Sequence, residues 1–471
     1  MQKFYTLFSF MLAAGMASAQ YSTPDAGTSY TLEALSAIAE SGVVKNGTSD
    51  YTLKSDLTIS AKDKLQLSPG DILRMADGVV VTVDGEAMLN PESTARIIPA
   101  EGAKPKGFKM NGKASLANLE VEGAGFMYFG KDPLIVDKCD FSNVNSTLSG
   151  YGVIVLSGSS TGSKITNCTF TDCEPGAINT PANLGVELLI EGCTIKNVTT
   201  IDAMRPFINI ASCVDKEIII RNNTLIGARL AKPGGIGVSN MLNTPGSNKV
   251  TIENNTVSDC SWGVNLVGGM DVRLVGNTVK DNRWDPADDG GIAVTMYSIA
   301  SYPLTVYGEG NTFEGNKWGP CSVGSSIVNF GKTSDPSAAD YNPGNNIFRS
   351  NSFTSTSGTL TECDFCNQTK ETVYAQGNVW NDAKTVEEAG KTIFGSNYNS
   401  AYGPIVFDPI KNLSGVEMVG AGEPQLKGHV ELYNLCGQKV YSGDMDSVSS
   451  SSLPSGVYVA VGAGGKAKIA L

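Results

Sequence analysis

The stretch "NNTVSDCSWGVNLVGGMDVRLVGNTVKDNRW", residues 254–284, contains nearly the same phrase twice, and the same interval runs through most of the chain. Aligned on one position, nine members follow one another: "KCDF" 138–141, "NCTF" 167–170, "GCTI" 192–195, "NNTL" 222–225, "NNTV" 254–257, "GNTV" 276–279, "GNTF" 310–313, "SNSF" 350–353 and "GNVW" 377–380. The second position reads Cys139, Cys168 and Cys193, then Asn223, Asn255, Asn277, Asn311, Asn351 and Asn378. The steps are 29, 25, 30, 32, 22, 34, 40 and 27 residues. A floor of 22 with irregular additions implies one structural turn per repeat, with loops inserted at tolerant places.

Short apolar runs such as "GAIN" 176–179, "GIGV" 235–238 and "GVNL" 263–266 separate the members and carry no helical period. Strands recurring every two dozen residues pair with their own copies one repeat away. That makes a stack of coils roughly 4.8 Å apart. An asparagine at the same bend of every coil can bond both the local backbone and the asparagine above it, so that polar groups inside the bend find partners. Stacked cysteines at the head of the ladder are expected as small buried hydrophobes rather than disulfides, because ladder neighbours all face one way.

This pattern resembles the right-handed parallel β-helix of the pectin-lyase-like family, over about Leu53 to Pro409. The resemblance implies an all-β fold with a capped first coil. It implies no one function, since lyases, hydrolases, epimerases, adhesins and inert stalks share the scaffold. "TLEALSAIAESG" places Leu32, Leu35 and Ile38 on one helical face, suited to covering the open first coil. The cap region is therefore expected over residues 20–52 and the β-helix over 53–410.

The ends carry a different kind of signal. Residues 1–19 have Lys3, an apolar run from about Phe4 to Met16 and Ala17-Ser18-Ala19, which is the pattern of a secretory signal peptide cut after Ala19. Residues 411–471 read as alternating strands between glycine turns. Tyr433-Asn434-Leu435, Gly437-Gln438-Lys439-Val440, Leu453-Pro454, Gly456-Val457-Tyr458 and Lys468-Ile469 resemble the C-terminal sorting β-sandwich of type IX secretion. That resemblance implies a partnership with the outer-membrane secretion machinery of a Gram-negative cell, and a final place on the cell surface or outside it. Lys+Arg number 35 against 47 carboxylates, a net charge of -12 without a basic patch, so nucleic acid is not an expected partner. The protein is expected to act as a monomer.

Candidate chemistry gathers in the middle coils. Seven residues past the ladder asparagine stand Trp262, Trp284 and Trp318 in three successive repeats. They form either an outer aromatic strip on which sugar rings pack or a buried structural stack. "DNRWDPADDGG" adds Arg283, Asp285, Asp288 and Asp289, and "NKWGPCSVG" and "DPSAADYNPGNN" lengthen the next repeat. Long insertions on one side of a regular scaffold are where function is usually placed.

The aspartates have three readings: a glycosidase acid and base, hard oxygen ligands for Ca²⁺, or a solvated turn. β-Helix polygalacturonases, which share the resemblance, spread aspartates over neighbouring coils and add a His and an Arg-x-Lys. Asp288-Asp289 matches one such element, and the sole histidine, His429, lies in the tail. Arg283 or Lys232 could serve as a lyase base, without a motif to support either. "CDFC" 363–366 has metal-like spacing but no second pair, so free thiols or a local disulfide are expected. No cofactor is expected, Ca²⁺ being the one cation the aspartates would suit. These features predict a surface or released protein that binds glycan or host extracellular matrix without catalysis. An enzyme on acidic polysaccharide and a rigid spacer are the alternatives.

Overall fold

The computed structural model describes residues 20–471 apart from 146, 182–184, 201–202, 212–214, 241–247, 299–302, 412–427, 435–436, 446, 448–452, 454–456, 463–464 and 471. The expected signal peptide, 1–19, lies outside the described residues.

Three 14-stranded sheets run the length of a coiled unit that ends at Lys411. One coil shows the pattern. Val264–Val267 lies in sheet 1, Met270–Val275 in sheet 2 and Thr278–Lys280 in sheet 3. Each then pairs in parallel with its copy in the next coil, Val264 with Val294, Met270 with Leu304 and Thr278 with Thr312. Within Met270–Val275, Met270, Val272 and Leu274 are buried while Asp271 and Arg273 face outward, the period-2 alternation of a strand with one wet face.

Like residues stack on like inside. Phe108 lies on Phe126 at 4.9 Å, Phe141 on Phe170 at 4.9 Å and Phe348 on Trp380 at 4.3 Å, each pair within 13° of coplanar. Such a core is all-β and parallel because strands one coil apart present the same residue type at the same height.

Both ends are covered. The helix Leu32–Ser36 is capped by Thr31, whose hydroxyl accepts from Ala34 N at 3.1 Å, and it buries Leu32 and Leu35 against the first coil. Val386–Gly390, with a capping box between Thr385 and Glu388, closes the far end and buries Ala389. The boundary expected at Leu53 is not a structural one. Tyr21–Ser22 and Ser29–Thr31 already pair in parallel with Leu57–Ile59 and Lys64–Gln66, so coils begin at Tyr21 and the cap helix is an excursion from the first of them.

The second unit spans Asn412–Leu471. Where a small sandwich was expected, its described residues form a four-stranded antiparallel sheet of His429–Tyr433, Lys439–Asp444, Val457–Gly462 and Gly465–Ala470. Val430, Leu432, Tyr458 and Ala460 are its buried core. His429 is exposed, its Nε2 3.0 Å from Ser442 Oγ.

Candidate functional site

Two corners flank each short strand of sheet 3, and both carry an asparagine ladder. At the corner from sheet 2, Asn223, Asn255, Asn277, Asn311, Asn346 and Asn378 succeed one another. From Asn255 on, each Oδ1 accepts from the backbone N and the Nδ2 of the asparagine one coil earlier at 2.8–3.0 Å, and Asn223 Oδ1 accepts from Cys193 N at 2.9 Å. The residue immediately before each ladder asparagine in the chain has a left-handed backbone, as at Asn254 (φ 53°), Gly276 (φ 64°) and Asn345 (φ 60°), conformations that Asn and Gly adopt cheaply.

Cys139, Cys168 and Cys193 head this ladder as buried free thiols that donate to Asp137 O, Thr166 O and Glu191 O two residues back. Asn351 does not belong to it. Thr312 pairs with Ile347, so Asn346 stands above Asn311. Asn351 instead joins a second ladder at the corner toward sheet 1, made of Cys260, Asn282, Asn316 and Asn351. That ladder ends on Asp364, whose Oδ1 accepts from Asn351 Nδ2 at 2.9 Å. Burial pushes the Asp364 carboxyl above the ordinary carboxylate range, and bonds from Asn351, Thr392 and Asn381 oppose the push.

The second corner leads to the tryptophans, which stand two residues beyond its ladder. They do not form one strip. Val264 pairs with Val294 and Ile292 bridges Trp318, so the row in register reads Trp262, Ile292, Trp318. Trp284 stands where its coil leaves the row, eight residues (292 − 284) before the return at Ile292.

The three rings have different neighbours. Trp262 is half-buried and lies flat on Gly234, where an added Cβ would fall 2.0 Å from the indole. Trp318 packs 4.9 Å from Phe353, and its Nε1 donates to Asp288 O at 2.8 Å beneath the excursion. Trp284 is 37% exposed with the Arg229 guanidinium 5.3 Å from its ring.

The acidic excursion is held by its own contacts. Asp285 Oδ1 accepts from Ala287 N at 2.9 Å, closing an Asx turn. The Asp288 carboxylate accepts from Thr356 N and Oγ1 at 3.0–3.2 Å, tying the loop to the hairpin Ser352–Thr354/Leu360–Glu362. Arg283 donates to Ser352 O at 3.0 Å and Gly315 O at 3.4 Å. Asp289 is exposed. Among the described residues no three His, Cys, Asp or Glu side chains come together as cation ligands, so Asp285, Asp288 and Asp289 are not gathered as the Ca²⁺ reading required. The stretch 335–346, expected on the same side, leaves instead from the corner between sheets 2 and 3.

The same edge carries residues that sequence reasoning did not single out. Tyr151 is 56% exposed and holds the Arg205 guanidinium 4.4 Å from its ring, while Arg205 also donates to Gly150 O. Met204 and Leu230 stand exposed between the two aromatic–arginine pairs. Arg229 has a left-handed backbone (φ 59°), unusual for a long side chain, and is held there by Asp259 O and Oδ1, each at 3.1 Å. In each pair the arginine and the ring come from coils two steps apart. Tyr151 and Trp284 are five coil steps apart, about 24 Å at roughly 4.8 Å per step. The only sequence signal was place: all of these residues lie in the turn segments just before the strands of sheet 1.

Residues 107–403, more than half of the chain, match a family model described as the right handed beta helix region. No curated protein and no solved structure matches the chain.

Proposed function

The chain belongs to the right-handed β-helix family, and from that premise we propose that it is a surface-displayed or released binding protein that engages acidic glycans through the edge between sheets 3 and 1. The observation that carries this reading is the pair of ring–guanidinium assemblies, Tyr151 with Arg205 and Trp284 with Arg229, on one exposed edge. An aromatic face packs against the C–H face of a sugar, and a guanidinium bonds carboxylate or sulfate in a planar fork. Arg229 is paired with Asp259, and Asp285, Asp288 and Asp289 share this edge, but Arg205 and Arg283 have no carboxylate partner among the described residues and are the two guanidiniums open to an acidic ligand.

Delivery to the surface rests on the tail words, with the outer-membrane secretion machinery as the partner. In the tail Asn434 N donates to Gln438 O at 3.0 Å and Gly437 N to Asn434 O at 2.9 Å, which ties together the facing ends of the strands His429–Tyr433 and Lys439–Asp444.

A glycan array bearing uronate and sulfated polymers tests the binding, run beside ultraviolet detection of unsaturated uronate products. Binding to acidic members is expected. It should be lost in Trp284→Ala and in Tyr151→Ala, with thermal stability nearly unchanged because both rings are exposed. Unsaturated products would replace the reading with that of a lyase. Binding that survives both substitutions would move the site elsewhere.

A further inference from the structure

Three of the described cysteines pack together outside both ladders. Cys321, Cys363 and Cys366 form a small cluster of their own, at most 4% exposed, beneath Ile292, Trp318, Val323 and Phe394. Cys321 lies in register with Thr295, which alternates with the inward-facing Met296, so the cluster sits on the outer face of sheet 1. The ladder thiols each have a carbonyl acceptor. These three have only one another and, for Cys366, Gln368.

Cys366 is the shared member. Its bonds with Cys321 and then Cys363 pull its proton affinity down, whereas the bond to Cys366 and desolvation raise Cys321, and desolvation raises Cys363. A thiolate at Cys366, the member both others bond to, is the one the cluster stabilises, and the thiolate is the species that exchanges with disulfides.

Cys321 and Cys366 are direct partners across adjacent parallel strands. Strand spacing places their Cα atoms about 4.8 Å apart, inside the window of roughly 4.4–6.8 Å that a disulfide needs. The ladder cysteines stack at the same spacing, but their thiols are engaged by the carbonyls of Asp137, Thr166 and Glu191, an acceptor Cys321 and Cys366 lack. We propose that Cys321 and Cys366 are joined by a disulfide bond when the chain folds in the presence of a disulfide-bearing oxidant, with Cys363 left as a thiol. The Cys366 thiolate attacks one sulfur of the donor and releases its first thiol. The Cys321 thiolate then attacks Cys366 sulfur in the mixed disulfide and releases the second. Two protein thiols are oxidised, one donor disulfide is reduced to two thiols, and the two protons pass to the released sulfurs. The bond closes a segment containing both the 335–346 stretch and the hairpin that receives Asp288, and it fixes the floor on which Trp318 rests.

The test uses the full chain refolded in a buffer of oxidised and reduced glutathione. Thiols are blocked with iodoacetamide in denaturant without reductant, and the protein is digested and mapped by mass spectrometry. The expected product links the peptides bearing residues 321 and 366 with Cys363 alkylated. The link should persist in Cys363→Ala and vanish in Cys321→Ala. Oxidised wild type should melt several degrees above its reduced form, and Cys321→Ala should show no such difference. Three alkylated cysteines in the wild type, or a link between 363 and 366, would overturn the proposal. The wild-type map decides even if a variant does not fold.

Discussion

Asn277 makes five hydrogen bonds from one side chain. It donates to Ile252 O, Val275 O and Asn311 Oδ1, and accepts from Asn255 N and Asn255 Nδ2. A leucine fits the volume and none of the bonds. Asn277→Leu leaves buried donors on Asn255 and a carbonyl at Ile252 short of a partner, and an unsatisfied buried polar group costs about 1–3 kcal/mol. Thermal denaturation should show a loss of that order, and an unchanged melting curve would contradict the ladder's energetic role. At this scale most of the ladder was legible in the sequence, because a left-handed residue followed by Asn or Cys is a local signature of the bend. Asn351 was misplaced for the same reason. Ser350 is left-handed too (φ 54°), and the second corner uses the same chemistry as the first. Only the register of Phe348 above Phe313 tells the two corners apart.

At the scale of the element, strands were readable and excursions were not. Period-2 alternation and recurrence follow from burial on one face, and they survive insertions elsewhere. Counting seven residues from the ladder reached Trp262, Trp284 and Trp318, but the middle coil leaves the row at Trp284 and puts Ile292 in it. Where a loop folds back is decided by contacts distant in sequence, such as Asp288 with Thr356, 68 residues apart, which no local pattern encodes. The candidate edge was for this reason only partly legible: Trp284 was found, whereas Tyr151, Arg205 and Arg229 were not. Trp318 separates a structural from a binding role. Its ring lies under the excursion, against Phe353 and the thiol cluster. Trp318 is partly buried, so Trp318→Ala should destabilise the protein toward the lower end of the about 3–5 kcal/mol that deleting a fully packed indole costs. Denaturant titration checks this. A loss below about 1 kcal/mol would place the ring at the surface and return it to the list of binding residues.

At the scale of the whole molecule, the chain is two units with separate cores. The coiled unit's core takes in residues from Tyr21 to Ile410, counting the partly buried hydrophobics packed against it, and the tail's buried core is Val430, Leu432, Tyr458 and Ala460. The coils are stabilised by stacking on their neighbours, and the last coil is already covered by Trp380, Val386–Gly390 and Phe407. Repeat stability of this kind is a sum over neighbouring coils, so removing a unit that has its own core should not propagate inward. Deleting residues from Leu413 onward is therefore expected to leave the melting temperature and the β-sheet circular dichroism of the coiled unit unchanged. The same deletion reports on the tail's proposed role, since a chain that needs its tail to cross the outer membrane should accumulate in the periplasm. Normal arrival at the surface would dismiss the sorting role while leaving the fold intact. A truncated protein that fails to fold would show that the coils depend on the tail for more than an address.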